Sequence, residues 1–287
     1  MMTSDMMLVI GTVGKLRNVN MKKILVTGST GMLGYAVSSY FKFKNYYVTE
    51  ITRNEFDIAN DPMDKFEKFL DGIEVVINCA GVIKPSISKN TVEDILKINS
   101  IFPRNLAKIC DIKDIKCFHI TTDCVYSGKK GNYTENDYFD AEDLYGLSKI
   151  AGETKDCMTL RTSIIGEEKG NKRSLLEWAK SQAGKEVNGF TNHLWNGVTT
   201  LYLAEIIENI LKKNLYQKGI FHIYSHSKVN KYELLQIFNE VYDLKLKINP
   251  VEAEEKVDRS LSSIYDISIK LSIKLLEQQV KEMKIFF

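Results

Sequence analysis

The run Lys22-Lys23-Ile24-Leu25-Val26-Thr27 ends at Gly28-Ser29-Thr30-Gly31-Met32-Leu33-Gly34, and this junction constrains the fold more than any other segment. A short apolar run stopped by glycine suits a strand buried in a parallel sheet. From Met32 to Phe43 apolar residues recur at helical spacing. A strand, a glycine turn and a helix, in that order, form the context in which glycines at this spacing cradle a pyrophosphate. Gly28 permits the tight turn, Gly31 lets backbone approach the phosphates, and Gly34 allows close packing of helix on strand. Thr30, Met32 and Leu33 supply the intervening backbone, whose free N–H groups at the helix start receive the anion.

The same alternation continues along the chain. Further strands are predicted over 46–51, 74–79, 116–121 and 158–162, with helices over 61–69, 95–110 and 143–154 between them. Strand and helix in turn predict an α/β fold, a Rossmann-type doubly wound parallel sheet occupying residues 21–165. Beyond 165 the texture changes. Helices are expected over 174–183, 200–211 and 231–242, strands over 219–224 and 244–248, and one or two helices over 268–283. Residues 166–287 therefore read mainly as a smaller substrate-binding lobe, with some elements returning to the sheet. Residues 1–20 read as an N-terminal extension.

A NAD site usually presents an acid to the ribose after the second strand, but here the strand runs into Thr52-Arg53-Asn54. The Arg53 guanidinium suits a 2′-phosphate, so NADP(H) is preferred. Glu55 and Asp57 lie near enough to keep NAD(H) open, and Asp57-Ile58 is placed to cover the adenine edge. Cys79, Ala80 and Gly81 end the third strand, where small residues let the chain run under the cofactor. Val82 lines the wall that follows. Asn99 has two readings: a cofactor-side residue, or an internal hydrogen bond holding its helix to the sheet.

The next strand ends Thr121-Thr122-Asp123-Cys124, and Tyr145 and Lys149 follow one helical turn apart. Residues at this spacing share a helix face, so the ammonium is expected to lower the phenol's pKa. Thr122 and Tyr145 together would polarise a carbonyl oxygen, with Lys149 near the nicotinamide ribose. Asp123 positions substrate or closes the local turn. Cys124 adjoins the site as a substrate-side candidate, with packing the favoured reading. His119, inside the strand, reads as a core histidine.

Taken together, ILVTGSTGMLG, EVVINCAG, ILKIN, FHITTDCVYSGKKGNYTE, DLYGLSKIAGE and LRTSIIG resemble the extended short-chain dehydrogenase/reductase family. Within it the chain is most similar to the dTDP-4-dehydrorhamnose reductase-like branch of nucleotide-sugar reductases. The resemblance runs from residue 21 nearly to the end. It implies catalysis by Thr122, Tyr145 and Lys149, and a cofactor held around Gly28, Gly31, Gly34 and Asn99. The implied substrate is a nucleoside-diphosphate 4-keto-6-deoxysugar. Two segments depart from the branch: Gly197-Val198-Thr199-Thr200 replaces a Gly-x-Pro-Thr-like stretch, and Val257-Asp258-Arg259-Ser260-Leu261 replaces an Arg-Pro stretch. Both face the sugar nucleotide in the family, so the base and hexose stay open. Trp195 stacks on substrate or packs; Arg259 meets the diphosphate or forms a surface pair. Arg161 resembles a family arginine or serves a stabilising ion pair.

Other classes recede. A net charge of +2 gives no drive toward nucleic acid, and no Cys/His spacing suits a metal. No apolar run reaches ~18 residues, so membrane insertion is not expected. Five irregularly spaced cysteines fit reduced thiols and a cytoplasmic location. A homodimer is compatible with the sequence but not specified by it. The alternatives are an epimerase or dehydratase of the same superfamily, and a non-catalytic regulatory subunit that keeps the cofactor fold.

Overall fold

Along β1 (Lys23–Thr27) the side chains of Ile24 and Val26 enter one apolar cluster and that of Leu25 another. In β3 (Val75–Asn78) Val75 and Ile77 join the first cluster and Val76 the second. Successive strand residues point to opposite faces, so a sheet with both faces buried needs continuous apolar strands. The computed structural model describes residues 22–170, 172, 174–271 and 273–287. The expected extension at 1–20 lies outside the described residues.

The first part runs β1, α1 (Met32–Phe43), β2 (Tyr47–Ile51), α2 (Met63–Glu67), β3, α3 (Val92–Leu96) and α4 (Phe102–Ile112). A π-helical turn over Lys97–Ile101 joins α3 to α4. The chain continues through β4 (Lys116–Thr122), α5 (Leu144–Gly152), β5 (Met158–Thr162), β6 (Ile164–Ile165), α6 (Leu175–Ser181), β7 (Glu186–Phe190), β8 (His193–Trp195) and β9 (Val198–Thr199). It ends with α7 (Thr200–Lys212), β10 (Gly219–His222), β11 (Val229–Asn230), α8 (Lys231–Tyr242), β12 (Lys247–Val251), β13 (Val257–Asp258), α9 (Ile267–Leu271) and α10 (Leu276–Phe286).

Six parallel strands form the main sheet in the order β10-β5-β4-β3-β1-β2. The chain passes from β1 outward to β2 and then back across to β3. The strand order reverses there, and the carboxyl ends of β1 and β3 diverge into a crevice. Helices α1 and α7 lie together on one face, while α4 covers the other. A three-stranded sheet, β11-β8-β13, and two strand pairs, β12-β7 and β6-β9, build the C-terminal lobe.

Two expected elements shift, and a third resolves between its alternatives. The helix predicted from 95 begins at Val92, where Thr91 accepts a hydrogen bond from the Asp94 N–H as its cap. The strand predicted over 244–248 is β12 at 247–251 and contains Pro250. Proline is tolerated because β12 pairs with β7 alone, so one of its edges needs no donors. The C-terminal helical stretch is two helices, α9 and α10. Among the described residues no helix is long and apolar enough to cross a membrane.

A buried polar strut stands behind the carboxyl end of β4. Arg161 makes a two-pronged pair with Glu153, through Nε at 3.0 Å and Nη2 at 2.6 Å. Its Nη1 donates to the Tyr126 hydroxyl at 2.7 Å and lies 2.7 Å from His222 Nε2. Arg161 therefore has the structural role among its two readings, tying β5, α5 and β10 together.

Candidate active site

The glycine turn folds back on itself because nothing projects from it. Gly28 has φ +66° and accepts a hydrogen bond from the Gly31 N–H at 3.0 Å. A methyl group at Gly28 would lie 2.8 Å from the Ala80 backbone, and one at Gly34 would lie 2.1 Å from the Gly28 carbonyl oxygen. Helix α1 opens at Met32 without a side-chain cap, leaving first-turn N–H groups available to an anion. Thr30 and Gly31 border the crevice; Leu33 is buried in the core, so only its backbone could serve a phosphate.

The crevice has a volume of about 600 Å³. Its walls come from three strand ends: Thr27 and Gly28 after β1, Arg53, Asp57 and Ile58 after β2, and Cys79, Ala80, Gly81 and Val82 after β3. Phe56, Ser86, Lys89 and Asn90 complete it and were not singled out from sequence. They follow no local pattern and reach the crevice only through the turns after β2 and β3. Arg53 is exposed and has no ion pair among the described residues. Glu55 is turned onto Thr52, accepting from its N–H at 2.9 Å and from its hydroxyl. Asp57 accepts from the Ala59 N–H at 3.0 Å and Asn60 Nδ2 at 2.9 Å.

Asn99 is engaged on all sides. Its Oδ1 accepts from the Val82 N–H at 2.8 Å, and its Nδ2 donates to the Val82 carbonyl and the Ser148 hydroxyl, both at 3.0 Å. It fastens the crevice floor to α5, leaving its amide committed to protein groups. The π-helical turn that carries Asn99 lies against α5 so closely that a methyl at Gly152 would come 1.9 Å from the Asn99 carbonyl oxygen.

Helix α5 starts at Asp143, which accepts from the Gly146 N–H at 2.7 Å and pairs with Lys84 at 2.5 Å. Gly146 lets the helix lie on the turn after β4: a methyl there would sit 2.7 Å from the Cys124 carbonyl oxygen. This contact brings Tyr145 to Thr122. Burial pushes the Tyr145 phenol well above its ordinary value, with Cys124 and Asp123 adding to the push, while its hydrogen bond with Thr122 opposes it. Lys149 is not among the groups that shift it, so the expected lowering is not found and the phenol holds its proton firmly.

The perturbed member of the pair is Lys149. It is 6% exposed, its Nζ donates to the Ile120 carbonyl at 3.2 Å, and a methyl at Gly81 would lie 3.5 Å from that nitrogen. Burial draws its pKa down to about 8, against the pull of Glu153 and Cys79. Asp123 is 4% exposed and burial raises its pKa, while Arg259 and hydrogen bonds from Thr122 and Ser163 oppose the rise. Burial and the Asp123 charge push the Cys124 thiol up to about 12, so it is no thiolate nucleophile near neutral pH.

Two other sequence candidates sit in the small lobe. Trp195, half-buried on β8, packs against the main core and lies over Gly197, where a methyl would come 2.3 Å from its Cζ2. Arg259 donates from Nε to the Tyr126 carbonyl at 2.9 Å, which holds it on the loop beyond Thr122. His119 is buried; Nδ1 lies 3.1 Å from Asn78 Nδ2, and Nε2 has no partner among the described residues.

The model of the RmlD substrate binding domain matches residues 21–272. The chain belongs to this family. That places it in the extended short-chain dehydrogenase/reductase branch its motifs resemble. A dTDP-4-dehydrorhamnose reductase of Mycolicibacterium smegmatis is 30% identical over 47% of this chain and 42% of its own length, so the chain spans less than half of that relative. Spore coat polysaccharide biosynthesis protein SpsK of Bacillus subtilis is 26% identical over 90% and 92% of the two chains. Methionine adenosyltransferase 2 subunit beta of Danio rerio is 26% identical over 78% and 75%. Among solved structures, a dTDP-4-dehydrorhamnose reductase of Bacillus anthracis in complex with NADP superposes with a TM-score of 0.76. It is 20% identical and is covered completely by 93% of this chain.

Proposed function

We propose that the protein is an NADPH-dependent reductase of a nucleoside-diphosphate 4-keto-6-deoxysugar. The observation that carries this reading is the Tyr145–Thr122 hydrogen bond at the carboxyl end of β4, with Lys149 beside Gly81 on the crevice wall. The crevice suits a dinucleotide because its glycine turn packs too tightly for side chains and leaves the first N–H groups of α1 open to a pyrophosphate. When bound, reduced nicotinamide supplies a hydride to the carbonyl carbon. Tyr145 donates its proton to the carbonyl oxygen, and its raised pKa keeps that proton available at neutral pH. The Thr122 hydroxyl donates a hydrogen bond to the same oxygen and stabilises developing negative charge. Lys149, buried beside Gly81, holds the cofactor ribose.

Preference for NADPH is supported by the free guanidinium of Arg53 and by the local commitments of Glu55 and Asp57. A dehydratase would want a pair of carboxyl groups beside Thr122. Asp123 is there, but Asp143 caps α5 and pairs with Lys84. The likeness to methionine adenosyltransferase 2 subunit beta favours, as a second reading, a non-catalytic cofactor-binding partner. A panel of nucleoside-diphosphate 4-keto-6-deoxysugars with NADPH and NADH decides between them. Ketone-dependent NADPH oxidation is expected, and Tyr145→Phe should abolish it while leaving cofactor binding intact. Unchanged turnover in that variant would overturn the assignment.

A further inference from the structure

A buried row of polar side chains crosses the main sheet next to Lys149. Thr27 of β1, Asn78 of β3, His119 of β4 and Thr159 of β5 stand in register on neighbouring strands, each at most 1% exposed. The row fixes the tautomer of His119. Asn78 Oδ1 accepts from the Thr27 hydroxyl at 2.7 Å and from the Ala80 N–H at 3.2 Å. A backbone N–H can only donate, so this atom is the oxygen and the amide nitrogen faces the ring. That nitrogen lies 3.1 Å from His119 Nδ1, which therefore accepts with a bare lone pair. The ring proton sits on Nε2. A second proton on Nδ1 would set donor against donor, and burial with the charge of Lys149 also holds the ring neutral.

Two buried polar atoms of β4 have no partner among the described residues, His119 Nε2 and Thr121 Oγ1. They belong to one strand face, two residues or about 7 Å apart along the backbone. Between them the Ile120 carbonyl accepts from Lys149 Nζ at 3.2 Å, the one hydrogen bond this ammonium makes among the described residues. An ammonium has three donors, and the His119 Nε2–H is a donor too. Donors cannot satisfy one another. Thr159, next in the row, turns its hydroxyl to the Thr154 carbonyl at 2.8 Å. Ring, ammonium and Thr121 hydroxyl can be satisfied together by one oxygen that accepts twice and has a proton to give.

We propose that His119 is a positioning residue for Lys149, the two joined by one buried water that accepts from His119 Nε2–H and Lys149 Nζ and donates to Thr121 Oγ1. Three polar partners suffice to hold an internal water. The water supports the ammonium from the sheet side and leaves its remaining donor for the cofactor ribose. His119 does this without adding charge, because its fixed tautomer keeps a second cation from forming beside the first. The other groups that act on Lys149 are Glu153 on its own helix, itself paired with Arg161, and Cys79 beyond β3. Only the bearing on ribose binding rests on the reductase reading above.

Nitrogen NMR of the full, ligand-free chain, labelled in histidine and lysine, tests the proposal. In the parent, His119 should show a protonated Nε2 and a bare Nδ1, unchanged from about pH 8 down to about pH 5, well below the range where a free imidazole titrates. An Nδ1–H tautomer, or a ring that gains a second proton in that range, would overturn the proposal whatever the variants do. His119→Asn keeps an acceptor for Asn78 but has no donor at the Nε2 position, whereas His119→Gln carries an amide donor there. Losing an acceptor disfavours the ammonium, so Lys149 should titrate about half a pH unit or more lower in His119→Asn than in the parent. His119→Gln should restore most of that difference. Equal shifts in both variants would make His119 a packing residue, and no shift in either would remove the water; each result refutes the proposal. If no ketosugar is reduced while these shifts appear, the reductase reading falls and this one stands. If a ketosugar is reduced and none appears, the reverse holds.

Discussion

Replacing Lys149 with methionine should change how stability depends on pH, and the sign follows from burial alone. An exposed lysine titrates near 10.5, whereas buried Lys149 titrates near 8. Below about pH 8 folded and unfolded chains both hold the proton, and the full cost of burying an ammonium is present. Between about 8 and 10.5 the unfolded chain still holds a proton that the folded chain has released. Unfolding free energy then rises with pH by at most about 1.4 kcal/mol per unit. Over roughly 2.5 units this amounts to about 3 kcal/mol. Above 10.5 both states are neutral and the gain is complete. Methionine has an unbranched chain of similar size and no proton to lose. Urea unfolding of parent and Lys149→Met, stepped from pH 7.5 to 10.5 at constant ionic strength, isolates the effect because other titrations cancel in the difference. Parent stability minus variant stability should climb by about 3 kcal/mol across the window. A flat or falling difference would mean that the ammonium is not desolvated in the folded protein, and the reasoning would fail.

Glu153→Gln should cost about 3–5 kcal/mol in urea unfolding, because Arg161, with 1% side-chain exposure, would keep a buried charge without its counter-charge. A loss below about 1 kcal/mol would mean that Tyr126 and His222 suffice to hold the guanidinium. Gly34→Ala should destabilise the fold by about 1–3 kcal/mol and raise the NADP+ Kd at least tenfold, since its methyl would meet the Gly28 carbonyl oxygen at 2.1 Å. Fluorescence titration giving the parent's Kd would refute that account of the turn. Arg53→Ala should weaken NADPH by roughly 10- to 100-fold, the scale of a charge-assisted hydrogen bond to phosphate, while changing NADH less than twofold. Equal losses for both cofactors would remove Arg53 from the phosphate.

Much of the main sheet was readable because its signals are local. Strands β1 and β3 are near-continuous apolar runs, since both their faces are buried, and the longer helices repeat at their own period. The small strands β8, β11 and β13 escaped notice because two or three residues cannot display a period. Pro250 inside β12 kept the predicted strand from reaching residue 251, being acceptable only at an unpaired edge. The electrostatics of the Tyr145–Lys149 pair were read with the wrong sign for the tyrosine. Spacing along a helix reports which groups share a face, but not how deeply either is buried.

From the sequence alone came the strand–glycine–helix junction, the doubly wound order and the residue types able to move a proton to a carbonyl. These depend on backbone geometry and on neighbours a few positions apart. Tertiary structure decided which partners those residues meet: Asn99 on Val82 and Ser148, Arg161 on Glu153, and Arg259 on the Tyr126 carbonyl. The reason is physical. Hydrophobic periodicity places an element against a core, but desolvation and hydrogen bonding are set by whatever distant chain lies opposite, and no local pattern carries that information.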